Sequence, residues 1–232
     1  MLPDRTQDFF HRYADGFDAI YSNKTGLAND VVNRVLRKSM KLRFLKSIAG
    51  CSPIRGRSVL DVGCGPGHYS ITLAQGGAAR ILGLDFAEGM LDLARQHAER
   101  AGVAEKCQFV AADFLSYRFS EIFDYVIVMG FMDYMKEARA VVEKVLSVTG
   151  LHAFFSFPAA GGILAWQRKL RYRSRCELFL YTQANLENLL RSLPGVEFQI
   201  ERIARDFFVT ASPSRRLASV ATSQQAPISS RM

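Results

Sequence analysis

The sequence predicts an α/β fold: a doubly wound, mostly parallel sheet with helices on both faces. Three observations predict it. From 57 to 157 short apolar runs alternate with helical patterns, the mark of repeated strand–helix–strand units. One apolar strand runs straight into a loop with glycine at alternate positions, Gly63, Gly65 and Gly67. Several strands end in an acid or a glycine, and ligands of such sheets bind outside the carboxyl ends of the strands.

The first strand carries Val59 to Val62, with Asp61 two positions before the first glycine. Glycine lacks a β-carbon, so the loop can turn tightly and a ligand can approach the backbone. A carboxylate beside bare backbone suits a cationic, hydroxyl-rich ligand. The spacing is G-x-G-x-G, with His68 where a dinucleotide fingerprint has its third glycine. Pro66 also removes a backbone donor that a phosphate would use. An NAD-dependent oxidoreductase is therefore disfavoured.

The second strand, Arg80 to Asp85, ends in an acid 18 residues after Gly67, room for one helix and one strand. A carboxylate there can accept two ribose hydroxyls. A helix follows near 88–101, opening with Phe86-Ala87-Glu88-Gly89-Met90-Leu91. The third strand, Cys107 to Ala111, leads to Asp113 and Phe114. The fourth, Phe123 to Met129, gives way to Gly130-Phe131-Met132-Asp133-Tyr134. A helix near 137–149 and a fifth strand, Leu151 to Phe157, complete the alternation.

Taken in this order, these four segments resemble the class I S-adenosylmethionine-dependent methyltransferases, over roughly residues 55–158. The resemblance implies that Asp61, Gly63, Cys64, Gly65 and Gly67 hold the methionine end of the cofactor. It implies Asp85 for the ribose, the Asp113 carboxylate and Phe114 amide for the adenine, and Phe86, Met90 and Met129 around the nucleoside. S-adenosylhomocysteine would be the product. The run from Asp85 is similar to the family's D-x-S-x-x-M-L-x-x-A, with Ala87 replacing a capping serine. Each acid also has an ordinary reading: Asp61 as a cap, and Asp85 and Asp113 as strand-end turn residues. Met90 and Met129 suit a core as well.

Helical spacing from Asn185 to Ser192 and two apolar runs, 196–203 and 206–211, follow. This ending resembles the antiparallel hairpin that closes the family's seven-stranded sheet. Residues 1–50 read as amphipathic helix, either packed on the core or, as in related methyltransferases, forming an N-terminal helical cap or lid. Tyr13 and Tyr21 are its candidate site residues. The domain expectation is a cap over 1–50, the methyltransferase domain over 51–211 with a recognition insertion at 159–182, and a tail over 212–232. That tail holds six serines and two prolines, which argues for disorder.

On the acceptor side, Arg168 to Arg175 holds five cations in eight positions. Arg171, Arg173 and Arg175 alternate, so an extended chain puts them on one face. Guanidinium forks grip carboxylate or phosphate; a solvated basic stripe is the plain alternative. With the net charge of +8, they point to a small or lipid-linked acidic acceptor. Nucleic acid competes for the same charge, but no base-targeting N-P-P-Y follows the fourth strand. Asp133, Tyr134 and Tyr181 are further acceptor-side candidates, and His68 is expected to cap the helix after the glycine loop. The run 175–182 and the closing Asp206 to Thr210 resemble magnesium-protoporphyrin-type O-methyltransferases.

No catalytic acid or base is assigned. A carboxylate acceptor needs no base, and orientation alone is worth up to about 7–11 kcal/mol. Ala87 and the lack of a clear base leave a non-catalytic binding module open. Asp4, Arg5, Asp8 and His11 argue against a secretory leader. No uncharged run of 18 apolar residues occurs, so no membrane span is expected. The four cysteines form no C-x-x-C pair, so neither a metal site nor a disulfide framework is expected, and a reducing cytoplasm is. Nothing in the sequence bears on oligomeric state.

Overall fold

Short apolar runs with β-branched residues and flanking glycines favour strands over buried helices. In the computed structural model, which describes residues 30–161 and 177–214, every such run is a strand. In chain order they are β1 Ser58–Val62, β2 Arg80–Asp85, β3 Cys107–Ala111, β4 Phe123–Val128, β5 Thr149–Pro158, β6 Val196–Ile203 and β7 Asp206–Pro213. They form one sheet in the order β3-β2-β1-β4-β5-β7-β6. The first five run parallel, and β7 lies antiparallel between β5 and β6. Strand order reverses between β1 and β4, the switch point where sheets of this class open a crevice.

The helices are α1 Asp30–Gly50, α2 His68–Gln75, α3 Glu88–Arg100, α4 Ala138–Ser147 and α5 Gln183–Arg191. Side chains alternate across a strand, and the two faces carry two cores. Leu60, Val62, Leu82, Leu84, Val126 and Val128 meet Val141, Val142 and Val145 of α4 and Leu186 and Leu190 of α5. Val59, Ile81, Tyr125, Ile127 and Phe154 meet Leu73 of α2 and Leu91, Ala94 and Ala98 of α3. Both faces of the central strands are covered, which is why they read as continuous apolar runs. Thr182 caps α5 reciprocally with Asn185.

Leu42, Phe44 and Ile48 of α1 pack into the second core. A β-carbon on Gly50 would sit 2.5 Å from the Phe154 ring, so helix and strand touch there. The described part of the 1–50 segment thus belongs to the same helical layer as α2 and α3, and packing does not break at residue 50. Amphipathic spacing shows that a face is buried, not against which element. Tyr13 and Tyr21 lie outside the described residues, as do Arg171, Arg173, Arg175 and residues 215–232.

The expected tail boundary shifts. β7 continues to Pro213, pairing Glu197 with Ser212 and Val196 with Pro213, and Ser214 N–H donates to the Gly195 carbonyl at 2.7 Å. Strand pairing uses backbone groups, so a serine- and proline-rich composition does not forbid it. The described ends of the insertion close on each other: Tyr181 N–H donates to Pro158 and Ala160 N–H to Tyr181. Among the described residues, no helix is long and apolar enough to cross a membrane.

Candidate cofactor and acceptor site

The loop after β1 is held by backbone bonds. Gly63 and Cys64 N–H both donate to the Leu84 carbonyl, at 2.8 and 3.0 Å, and Gly67 N–H donates to Cys64. Gly63, Gly65 and Gly67 have φ of 67°, 51° and 80°, the left-handed region that L side chains avoid. Their surroundings differ. A β-carbon on Gly63 would lie 2.9 Å from Phe131, and one on Gly67 would lie 3.1 Å from the Ala94 Cβ. One on Gly65 would meet nothing within 4 Å among the described residues. Gly63 and Gly67 are packed from within, while Gly65 is the open point of the loop.

Asp85 ties this loop to the next helix. Its Oδ2 accepts from Gly65 N–H and its Oδ1 from Ala87 N–H, both at 2.9 Å. A carboxylate offers about four acceptor positions, and these bonds use two. Cys64 turns inward: its thiol is buried and would lie 3.0 Å from a β-carbon on Gly83. Burial pushes that thiol well up, reinforced by Asp61 and Asp85, so Cys64 contributes backbone and bulk rather than a nucleophile.

Asp61 lies beneath the loop, 2% exposed, accepting from Ser70 Oγ at 2.7 Å. Burial pushes its carboxyl up to about 6; the Ser70 bonds oppose this and Asp85 adds to it. The folded state therefore keeps a proton that the unfolded chain has lost. Stability should fall as pH rises from about 4 to about 6 and level off above. Denaturant unfolding of wild type and Asp61→Asn across that range is expected to show this slope in the wild type only. Parallel pH profiles would remove Asp61 as its source.

Downstream of β3, Asp113 Oδ1 accepts from Ser116 N–H at 2.9 Å and Ser116 Oγ at 3.1 Å. The Phe114 ring is buried, edge-on to Phe131 at 6.0 Å, so the side chain belongs to the core. Met90 sits 2% exposed with Ala87, Phe86 and Leu93 around it, and Met129 packs against the second core. After β4, buried Asp133 accepts from Phe179 N–H through its carbonyl, at 2.9 Å. Half-buried Tyr134 is its neighbour. The Tyr181 hydroxyl donates to the Met135 carbonyl at 3.5 Å, and burial pushes its pKa up to about 12. The return leg 177–181 thus lies over the loop after β4.

His68 does not cap α2. Gly67 occupies the cap position with no side-chain bond, and His68 is already helical. Its ring stacks on His97 at 5.8 Å, and His97 Nδ1 hydrogen-bonds the Pro66 carbonyl at 3.0 Å.

Sequence reasoning missed Arg43. On α1 its side chain is only 12% exposed, with Nε 3.7 Å from Asp206. Its Nη1 donates to Ser156 Oγ at 3.2 Å, which accepts from Gly130 N–H at 2.8 Å. A largely buried cation, paired with Asp206, therefore stands at the carboxyl end of β4. Among Lys38, Lys41 and Lys46 it reads as one more charge on a solvated face. Only the packing of α1 singles it out.

The open glycine at the switch point, flanked by acids from neighbouring strands, is the arrangement that a comparison with known proteins can decide. Residues 59–150 match the family model described as a methyltransferase domain. That match spans β1 to α4 and covers every cofactor residue expected above. The ubiquinone biosynthesis O-methyltransferase of Ralstonia nicotianae is 34% identical over 119 residues, 50% of this chain and 48% of that protein. That of Neisseria meningitidis serogroup C is 36% identical over 99 residues, 42% of each. The chain spans about half the length of the curated relatives it matches.

Among solved structures, magnesium protoporphyrin IX methyltransferase (ChlM) of Synechocystis with bound SAM superposes with a TM-score of 0.71 at 22% identity. The match covers 92% of this chain and 99% of that one. The DhpI–SAH complex gives 0.65 at 16% identity, covering 92% and 97%. The chain therefore shares the fold of these structures, with the mostly parallel sheet and closing antiparallel hairpin.

Proposed function

We propose that the chain transfers a methyl group from S-adenosylmethionine to an oxygen of a small or lipid-linked acidic acceptor, leaving S-adenosylhomocysteine. One observation carries the reading: Gly65, the cradle glycine whose β-carbon would meet no described atom within 4 Å, donates its N–H to Asp85 at the end of the next strand. The donor set fits a sulfonium nucleoside, with acids for hydroxyls and amine, an open backbone and His68 where a pyrophosphate-binding loop has glycine.

In this reading Asp85 accepts the ribose hydroxyls, while the Asp113 carboxylate and Phe114 amide meet the adenine. The backbone of Gly63 to Gly67 carries the methionine end, and Asp61 acts from beneath by holding Ser70 and the start of α2. Phe86, Met90 and Met129 supply the apolar wall. Arg43 provides positive charge for the methionine carboxylate or the acceptor's acid. The cofactor supplies an electrophilic methyl carbon. The protein's task is to line up the acceptor oxygen with it and exclude water. Asp133, Tyr134 and Tyr181 border the acceptor, and Arg171, Arg173 and Arg175 are proposed to clamp its acidic group.

The names of the curated relatives, O-methyltransferases of ubiquinone biosynthesis, support an oxygen acceptor with a lipid tail. Free thiols at Cys51, Cys64 and Cys107 fit a cytoplasmic site. The test is to supply methyl-labelled S-adenosylmethionine with fractionated cell extract. Label is expected in the lipid or small-molecule acid fraction. Label confined to nucleic acid would assign the basic segment to RNA. Binding with no transfer to any fraction would leave a non-catalytic module.

A further inference from the structure

Lys144 lies in the last turn of α4, far in sequence from every residue assigned to the cofactor. Its Nζ donates to the Leu115 carbonyl at 2.7 Å and the Tyr117 carbonyl at 2.6 Å. The same ammonium stands 5.4 Å from the Phe114 ring centroid and 5.5 Å from that of Phe119, within the range at which an aromatic face attracts a cation. Burial pulls the amine's pKa down and nearby Asp113 pushes it back up. A lysine gives up much rotamer freedom to be held this way, and all four contacts lie on one segment, 114–119.

That segment is a single turn. The Asp113 carbonyl accepts from Tyr117 N–H at 3.0 Å, and the Asp113 carboxylate accepts from Ser116. The turn's donors thus point back to Asp113, while its outward carbonyls, Leu115 and Tyr117, go to Lys144. Without the ammonium those two carbonyls lose a charge-assisted donor at the edge of the core, and the turn is pinned from one end only.

We propose that Lys144 is a positioning residue for the adenine subsite, clamping the 113–117 turn so that the Asp113 carboxylate and the Phe114 N–H face the base together. The proposal rests on the cofactor reading above. It adds that the base is recognised through a residue that never touches it, delivered from the helix between β4 and β5.

The test compares wild type, Lys144→Met and Lys144→Arg by calorimetry with two nucleosides. One is S-adenosylhomocysteine; the other is S-inosylhomocysteine, where a carbonyl replaces the adenine amine. Wild type is expected to prefer the adenine compound about tenfold, one hydrogen bond to a charged group. Lys144→Met should weaken the adenine compound about tenfold and barely change the other, so the preference collapses. In Lys144→Met the KM for the methyl donor should rise while kcat holds, and Lys144→Arg should restore most of both.

An unchanged preference in Lys144→Met overturns the proposal, and so does an equal loss for both nucleosides, which would mean a general structural role. If that variant does not fold, Lys144→Gln takes its place in the same titrations and the same outcomes decide. A wild type that binds neither nucleoside overturns the cofactor reading itself. One that binds both equally overturns the adenine role of Asp113 and, with it, the role of Lys144.

Discussion

Asp85→Ala is expected to weaken S-adenosylhomocysteine binding by about tenfold or more in calorimetry, since each hydrogen bond to a charged group is worth about 1.5–3 kcal/mol. The side chain has two tasks. It is proposed to accept the ribose hydroxyls, and it accepts N–H bonds from Gly65 and Ala87. Loss of the carboxylate therefore removes a ligand contact and loosens the loop that carries the methionine end. Asp85→Asn should be almost as damaging, although its shape is nearly the same. Both carboxylate oxygens receive backbone donors, and an amide must turn its NH2 toward one of them. A nucleoside without ribose hydroxyls separates the two tasks: wild type should lose affinity for it, and Asp85→Ala should not distinguish it from the parent. Unchanged affinity in Asp85→Ala would reject the ribose assignment.

The second large effect separates two glycines two positions apart. Gly67→Ala should destabilise the fold by about 2–4 kcal/mol, combining left-handed strain with overpacking. Its φ is 80°, and the new methyl would press on Ala94 at 3.1 Å and Phe109 at 3.3 Å. Gly65→Ala has the strain of φ 51°, about 1–2 kcal/mol, and no atom of the described residues lies within 4 Å of the added methyl. Its cost should appear in binding, with cofactor affinity down about tenfold or more as the methyl enters the space where the backbone is approached. Denaturant unfolding and calorimetry on both variants give four numbers. Wild-type affinity in a folded Gly65→Ala would mean that the cofactor does not pass over this loop.

The elements that position the site were largely legible because their signals are local. A strand ending in glycines with positive φ declares itself through residues that only such a backbone tolerates. Hence β1 to β4 and the loops after them emerged with their acids in place. The ends of β5 and β7 did not. β5 starts at Thr149 and β7 runs to Pro213, since backbone pairing extends a strand through residues of poor propensity once a neighbour is present. His68 was misread for a related reason: Gly67 in the left-handed region takes the cap position, and that becomes visible only with the dihedral.

Taken alone, the chain of residues settled the kind of sheet, the glycine cradle and the acids at the strand ends, because spacing and backbone permissiveness act within a few residues. It was the folded arrangement that decided which charges meet the site. Arg43 arrives from α1 and Lys144 from α4, and Asp61 is turned beneath the loop rather than into the open. Arg43 and Lys144 depend on contacts between segments far apart in the chain, and Asp61 on a sheet that buries it, where burial changes what a charged side chain can do and no local pattern records it.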